Sequence, residues 1–452
     1  MSSITLFLAL IAAPLAVYTA IRWRRTLLMA LPFLVTLNGV PLKVGASSFR
    51  LDQLVACLLL IPLVTGALAG RRRIQLDGTS WWLVALLAAN IAASVLNSPV
   101  PSYSLRQCLN LGSSWVIYIL LINYLTCLED LEEFLTCVVW AAVSASVIGV
   151  GAFMLAVGGV HVGGAEVSTS AAAYLTRAYG AYGTMLEPNI LGSFTAANLV
   201  LAATLFVAMS REAISIVGRG LLRWAIVLTA TGLLLSFTRA AWLGAASGFA
   251  CVVLLSGRIP NVRFRVDRIL ATFAAAAVVV AVLFVLPGDI GVIFRFKVAN
   301  LINPASETAI VRWVSSALAL DQISQHPVVG WGTFTFAALT AEGGDFQSFA
   351  NWRNLWIGNY LLLALHDTGV IGLALLIGVL ATVIQRALRV LNTMSAEKSK
   401  HASRIVGLVA ALASFLVSFL ATTGFTLGYS WLIVGLLAAY SRVLDDQRIV
   451  AA

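Results

Sequence analysis

Residues 221–256 read LLRWAIVLTATGLLLSFTRAAWLGAASGFACVVLLS. Two apolar runs, Leu221–Phe237 and Ala240–Ser256, stand back to back, with Thr238 and Arg239 between them. Each run is close to the length that crosses the hydrocarbon core of a bilayer. The pair reads as two membrane helices joined by a tight turn, and the turn carries an arginine. A charge in a membrane segment, or at its mouth, is costly unless it meets a partner or a cavity. Arg239 therefore asks for an anion on its side of the membrane.

The same texture extends outward in both directions. Of 452 residues, 60% are hydrophobic and 11% charged, with a mean hydropathy of +0.95. A soluble domain carries about 25% charged residues. Apolar runs fall at 4–21, 26–42, 51–69, 79–97, 110–126, 134–157, 188–209, 221–237, 240–256, 269–287, 369–388, 403–421 and 424–441. The fold class expected is all-α: a polytopic transmembrane protein of about 12–13 spans. The second run, holding Pro32 and Pro41, is the weakest. The chain reads as one integral-membrane domain in four stretches. These are N-terminal helices over 1–157, central helices over 158–287 with an outer loop at 158–187, a large loop over 288–368 with interfacial helices, and C-terminal helices over 369–452.

Basic residues set the orientation. One series of alternate loops holds Arg22, Arg24 and Arg25, then Arg71–Arg73, then Arg211, Arg219 and Arg223, then Arg258, Arg263, Arg265 and Arg268, and then Arg386, Arg389, Lys398, Lys400 and Arg404. The other series holds only Lys43, Arg50, Arg106, Arg177 and Arg239 in its short loops. The rich series is expected in the cytoplasm, with the C-terminus. The first helix lacks a basic leader and reads as a retained anchor. This asymmetry accounts for the net charge of +10 and argues against nucleic-acid binding, which needs a basic folded face.

Cys57, Cys108, Cys127, Cys137 and Cys251 form no CxxC pair, and the four histidines are scattered. Neither a disulfide framework nor a metal centre is expected. The P-loop and dinucleotide glycine fingerprints are absent too. Any chemistry must draw on an already activated substrate or on a gradient.

Two outer segments are long enough for chemistry: Gly158–Glu187 and Gly288–Ile357. Within the second, Ala309–Gln325 has helical apolar spacing and reads as an amphipathic helix near the interface. Asn351–Leu365 reads as a second interfacial or re-entrant helix. These segments bring Arg177, Arg312 and Arg353 to the side of Arg239. Guanidinium groups bind phosphate in a bidentate manner at any working pH. Two or three together would hold a pyrophosphate and stabilise the charge growing on it as a leaving group. Each also reads as a side chain reaching to lipid headgroups or capping a helix.

Four pieces of the chain, in order, resemble the O-antigen ligase and O-antigen polymerase superfamily of bacterial envelope proteins. They are Arg177–Asn189, with Gly183-Thr184 and Pro188-Asn189; Ser236-Phe237-Thr238-Arg239 with Ala241-Trp242-Leu243-Gly244; Arg312-Trp313 followed by His326-Pro327-Val328-Val329-Gly330-Trp331-Gly332 and Phe334; and Asn359, Leu361, Asp367-Thr368-Gly369 and Gly372. The resemblance implies transfer of a glycan from undecaprenyl pyrophosphate to an acceptor hydroxyl on the periplasmic side of the inner membrane. It implies no cofactor and no metal. A ligase takes a lipid A-core acceptor, and a polymerase takes another lipid-linked repeat; a flippase and a chain-length regulator are implied partners. Arg177 and Arg239 would hold the pyrophosphate, with Arg312, Arg353, Asn189 and Asn359 as further contacts.

One departure matters. The family's fourth piece opens on His-Asn, and this chain has Gly358-Asn359. His366, Asp367 and Glu187 are the candidates for the acid–base work. Glu187-Pro188-Asn189 also reads simply as a helix start, and His326–Gly332 as a helix stop and turn. The alternative function is an anion or solute transporter. That reading favours charges near the midplane and two related halves, and neither is seen.

Overall fold

The computed structural model describes residues 18–44, 47–157, 180–208, 218–256, 307–342, 356–394 and 401–449, with a few isolated positions between them. The expected spans at 4–21 and 269–287 lie almost wholly outside these residues, as do Arg177 and Arg353.

The described chain is helical. Its helices are α1 (Arg24–Leu34), α2 (Leu51–Leu68), α3 (Gly78–Leu96), α4 (Pro101–Tyr124), α5 (Leu128–Val157), α6 (Pro188–Ala208), α7 (Arg219–Leu235), α8 (Arg239–Ser256), α9 (Glu307–Gln325), α10 (Phe336–Glu342), α11 (Tyr360–Asn392), α12 (Ala402–Ser418) and α13 (Gly428–Ile449). Two short antiparallel ribbons join Leu42–Val44 to Ser47–Phe49 and Ala165–Glu166 to Gly180–Ala181. Among the described residues, seven helices are long and apolar enough to cross a membrane: α2, α3, α4, α5, α6, α8 and α11. The other described runs that suggested spans fold shorter or more polar. α1 holds Pro32 and passes into a 3₁₀ turn at Val35–Leu37 after 11 residues. The 17 residues of α7 span only about 26 Å at 1.5 Å per residue.

α6 is the centre of the bundle. Within it 94% of the residues of the apolar window are buried, and a helix apolar all round is one surrounded by other helices. α8 packs antiparallel to α12 through Gly244 and Gly248. A Cβ on Gly244 would collide with Ser418 Oγ, and one on Gly248 would stand 2.9 Å from Ala410 O. This small-xxx-small spacing lets two membrane backbones approach closely, which is where helix association in lipid finds its contacts.

The two ends of the bundle differ. At one, basic side chains meet carboxylates: Arg404 Nε donates to Glu132 Oε1 at 2.8 Å, and Arg386 lies 3.6 Å from Asp77 and 3.9 Å from Asp445. Arg25 pairs with Asp130 and Glu133 at the same end. At the other end α9, α10 and the first turns of α11 form a cap with its own small core of Ala319, Phe336, Ile357 and Leu363.

α11 is broken under that cap. Gly369 has φ 63° and ψ −165°, far from helical values. In an apolar surrounding every freed backbone group needs a partner, and the segment after α9 supplies them. Trp331 N donates to His366 O (3.0 Å), Gly332 N to Asp367 O (2.9 Å), and Val370 N to Pro327 O (2.9 Å). The fit is glycine against glycine. A Cβ on Gly330 would stand 2.5 Å from Asp367 C, and one on Gly369 would collide with Val328 O. Side chains of α3 and α4 lock the inserted turn from the other side: Asn97 Nδ2 donates to Gly330 O (2.7 Å), Ser104 Oγ to Thr333 O (2.9 Å), and Thr333 Oγ1 to Asn90 Oδ1 (2.8 Å). The expected helix stop and turn at His326–Gly332 is thus also the piece that closes the break.

Candidate active site

Arg239 opens α8 and is half-buried. The turn before it is tight. Phe237 takes a left-handed φ of 50° and is buried, its ring 6.0 Å from that of Phe153. A bulky residue at positive φ is strained, and such strain gathers at functional sites. Thr238 Oγ1 donates to Pro188 O at 3.1 Å. This bond seats the Arg239 turn on the start of α6, which carries Glu187 and Asn189. Both are half-buried. Glu187 O accepts from Ile190 N (3.1 Å) and Leu191 N (3.3 Å), so the residue caps the helix through its backbone. Glu187 lies close enough to Tyr429, at the start of α13, to interact with its hydroxyl electrostatically.

Arg312 arrives from the opposite direction, on α9, and is also half-buried. A Cβ on Gly358 would stand 3.8 Å from Arg312 Cγ and 3.7 Å from Ala421 O. These are ordinary contacts, so Gly358 leaves room beside Arg312. Tyr360 N donates to Phe419 O at 3.1 Å. The end of α12 is therefore the meeting point. Ser418 touches Gly244 of α8, and Arg239 lies five residues before Gly244, about 7.5 Å along the helix. Ala421, three residues beyond Ser418, touches the Arg312 side of the cap. Arg239, Arg312, Glu187, Asn189 and Asn359 all collect at this one end.

Asn359 is the N-cap of α11. Its Oδ1 accepts from Leu361 N (2.9 Å) and Leu362 N (3.2 Å), so only its amide donor is left to reach a ligand. His366 and Asp367 sit about two helical turns further in and are 0% and 4% exposed. His366 Nδ1 pairs with Asp367 Oδ1 at 2.9 Å, and its Nε2 with Gln322 Oε1 at 2.8 Å. Asp367 Oδ2 accepts from Phe334 N at 3.0 Å. Each polar atom of the pair is engaged with protein.

Several contributors carry no motif. Gln322, Asn90 and Asn97 hold the inserted turn, yet they read in sequence as ordinary polar residues. The amides of Asn90 and Asn97 within an otherwise apolar run were the available signal, since a polar side chain in a membrane span usually has a partner. Arg50 is another: Nη2 donates to Ser114 Oγ (2.7 Å), Nε to Asp52 Oδ1 (3.3 Å), and Nη1 to Thr426 O (3.5 Å). It pins the α12–α13 connection on which the site rests. Between α3, α4, α11 and α13 lies a mostly apolar cleft enclosing about 520 Å³ of empty space, open solvent included, with Trp115, Tyr360, Asp367, Phe425 and Trp431 among its walls.

The fold and this end together define a multi-pass helical membrane protein with arginines and a carboxylate brought to one mouth of the bundle. Residues 224–377 match the O-antigen ligase family model, which supports placing the chain in the O-antigen ligase superfamily. The matched stretch runs from α7 through the break in α11 and includes Arg239, Arg312, Arg353, Asn359, His366 and Asp367, while Arg177, Glu187 and Asn189 precede it. The family points to glycosyl transfer at a membrane, in polysaccharide or lipopolysaccharide synthesis, with a lipid-linked glycan as substrate. No curated protein matches the chain.

Proposed function

We propose that the protein transfers a glycan from undecaprenyl pyrophosphate to an acceptor hydroxyl at the periplasmic face of the bacterial inner membrane. The observation that carries this reading is the convergence at one end of the bundle, where the Arg239 turn rests on the Glu187–Asn189 helix start while the end of α12 joins it to Arg312. That end is opposite the one where Arg25, Arg386 and Arg404 meet carboxylates, and the excess of basic residues marks the cytoplasmic side.

In the proposed reaction the acceptor oxygen forms a bond to the anomeric carbon as the bond from that carbon to the pyrophosphate oxygen breaks. Undecaprenyl pyrophosphate leaves with the electron pair. Arg239 and Arg312, with Arg177 and Arg353 from the long loops, bind the diphosphate, and their charge stabilises what develops on the leaving group. Glu187, one residue before the Pro188 carbonyl on which the Arg239 turn rests, accepts the proton of the acceptor hydroxyl. Asn189 and the Asn359 amide orient the glycan. The apolar cleft between α3, α4, α11 and α13 suits hydrocarbon.

Replacing Arg239 by alanine tests the proposal. Loss of one transition-state donor costs about 10²–10³-fold, so Arg239→Ala should abolish polymer transfer in a polysaccharide-profile complementation, with wild-type protein levels in the membrane. Arg239→Lys should recover only part of it, because an ammonium cannot make the bidentate pair. Full activity of the alanine variant removes the proposal.

A further inference from the structure

We infer that His366 is a positioning residue, which fastens α9 to the break in α11 and thereby sets where Arg312 stands. Its side chain is 0% exposed, and both ring nitrogens are taken, one by Asp367 and one by Gln322. Phe336 packs edge-on against the ring, with centroids 5.6 Å apart. A histidine held this way has no nitrogen left for a substrate proton, so its influence on any reaction runs through the groups it ties together.

Gln322 is the other half of the fastening. It lies on α9, its carbonyl accepts from Trp331 Nε1 at 2.7 Å, and its amide donates to Thr340 Oγ1 at 3.4 Å. The Gln322 side chain thus joins α9 to α10 and α11, and its backbone carbonyl adds the inserted turn. Arg312, Ser315, Ala319 and Gln322 follow each other at spacings of three and four, on one stripe of the helix, and Ser315 and Ala319 on that stripe are buried. The small core of Ala319, Phe336, Ile357 and Leu363 packs beside this link. Gln322 is ten residues from Arg312, about 15 Å of rigid helix, so a tilt of about 5° at the fastening moves the guanidinium end by about 1.3 Å. Misplacement of about 1 Å is enough to cost up to about 10²-fold in rate.

The link to Arg312 rests on the proposed anion-binding role of that arginine, and the test therefore has two arms. The first is hydrogen exchange on the full chain in lipid nanodiscs, which needs no substrate. His366→Ala and Gln322→Ala should each raise exchange of the 307–325 amides by about tenfold, while α6 is unchanged, and the double variant should go no further than either single one. The second arm is polymer transfer by the same variants. His366→Ala and Gln322→Ala should lose it to a similar extent, and His366→Gln, whose amide still pairs with Gln322 and Asp367, should restore both α9 protection and most of the transfer. Unchanged exchange in His366→Ala overturns the fastening. Restored protection in His366→Gln with transfer still absent overturns positioning and gives the imidazole a chemical role. Because the exchange arm stands without a reaction, its outcome is separate from the fate of the proposed function.

Discussion

Two non-helical passages shape the loop-bearing end, and they are built on different principles. The α7–α8 turn is three residues long and is held by hydroxyl groups: Ser236 Oγ donates to Leu233 O (2.8 Å) and Thr238 Oγ1 to Pro188 O (3.1 Å). The break in α11 is held by backbone against backbone, with the Pro327–Gly332 stretch filling the place of the missing helical bonds. Each passage contains a buried or half-buried phenylalanine at positive φ, Phe237 at 50° and Phe334 at 58°. The difference lies in tolerance. Side-chain bonds are lost singly, at about 1 kcal/mol each. A backbone-to-backbone fit that excludes a Cβ fails as a unit, because any added atom displaces several bonds together.

The strongest way to break the comparison is therefore at the glycine. Gly369→Val puts a branched side chain at φ 63° and drives it into Val328 O. Strain of about 1–3 kcal/mol for the backbone adds to the overlap and to the displaced hydrogen bonds. The expected outcome is a severe drop in folded protein in the membrane, read by limited proteolysis and by detergent thermal melting. A Gly369→Val protein that melts like the wild type would show that the break is loosely held, and the contrast with the α7–α8 turn would collapse.

Legibility in the sequence follows the same division. The regular bundle was readable because hydropathy runs are a direct consequence of bilayer thickness, and α3, α6 and α8 begin and end within a few residues of the runs at 79–97, 188–209 and 240–256. Runs that mix a short apolar stretch with proline or charge, such as 26–42, gave spans longer than the helices that form. The tight turn at Arg239 was visible because it interrupts two apolar runs. The break at Gly369 was half visible: a boundary between a re-entrant piece and a span was expected near that glycine, but its closure by Pro327–Gly332 is a contact across forty residues that no local pattern encodes. His366 shows the limit most clearly. Residue type and neighbourhood suggested proton transfer, whereas its environment depends on Gln322, 44 positions away.

A smaller effect sharpens the hydroxyl-held passage. Thr238→Val keeps the shape of the side chain and removes the bond to Pro188 O, at a cost of about 1 kcal/mol. The protein should stay folded while the Arg239 turn loosens on α6. Transfer measured by polysaccharide profile should fall by several-fold and not vanish. Equal activity in wild type and Thr238→Val would mean that the turn is positioned by packing alone, with Phe237 against Phe153 as the remaining anchor.

The smallest expected effect is at the edge of the backbone-held passage. Asn97 reaches from the end of α3 to Gly330 O at 2.7 Å, with a half-buried amide. Asn97→Ala removes one donor from a carbonyl that has no helical partner, and the loss should be about 1 kcal/mol, seen as a lowered melting temperature in detergent with transfer nearly unchanged. The reason for the small figure is redundancy. Ser104, Ser94 and Asn90 still hold Thr333 three residues further on, and the four backbone bonds to α11, donated by Trp331, Gly332, Val370 and Ile371, are untouched. If Asn97→Ala proved as damaging as Gly369→Val, the inserted turn would depend on its side-chain tethers as much as on its backbone fit, and the two passages would be held by one principle after all.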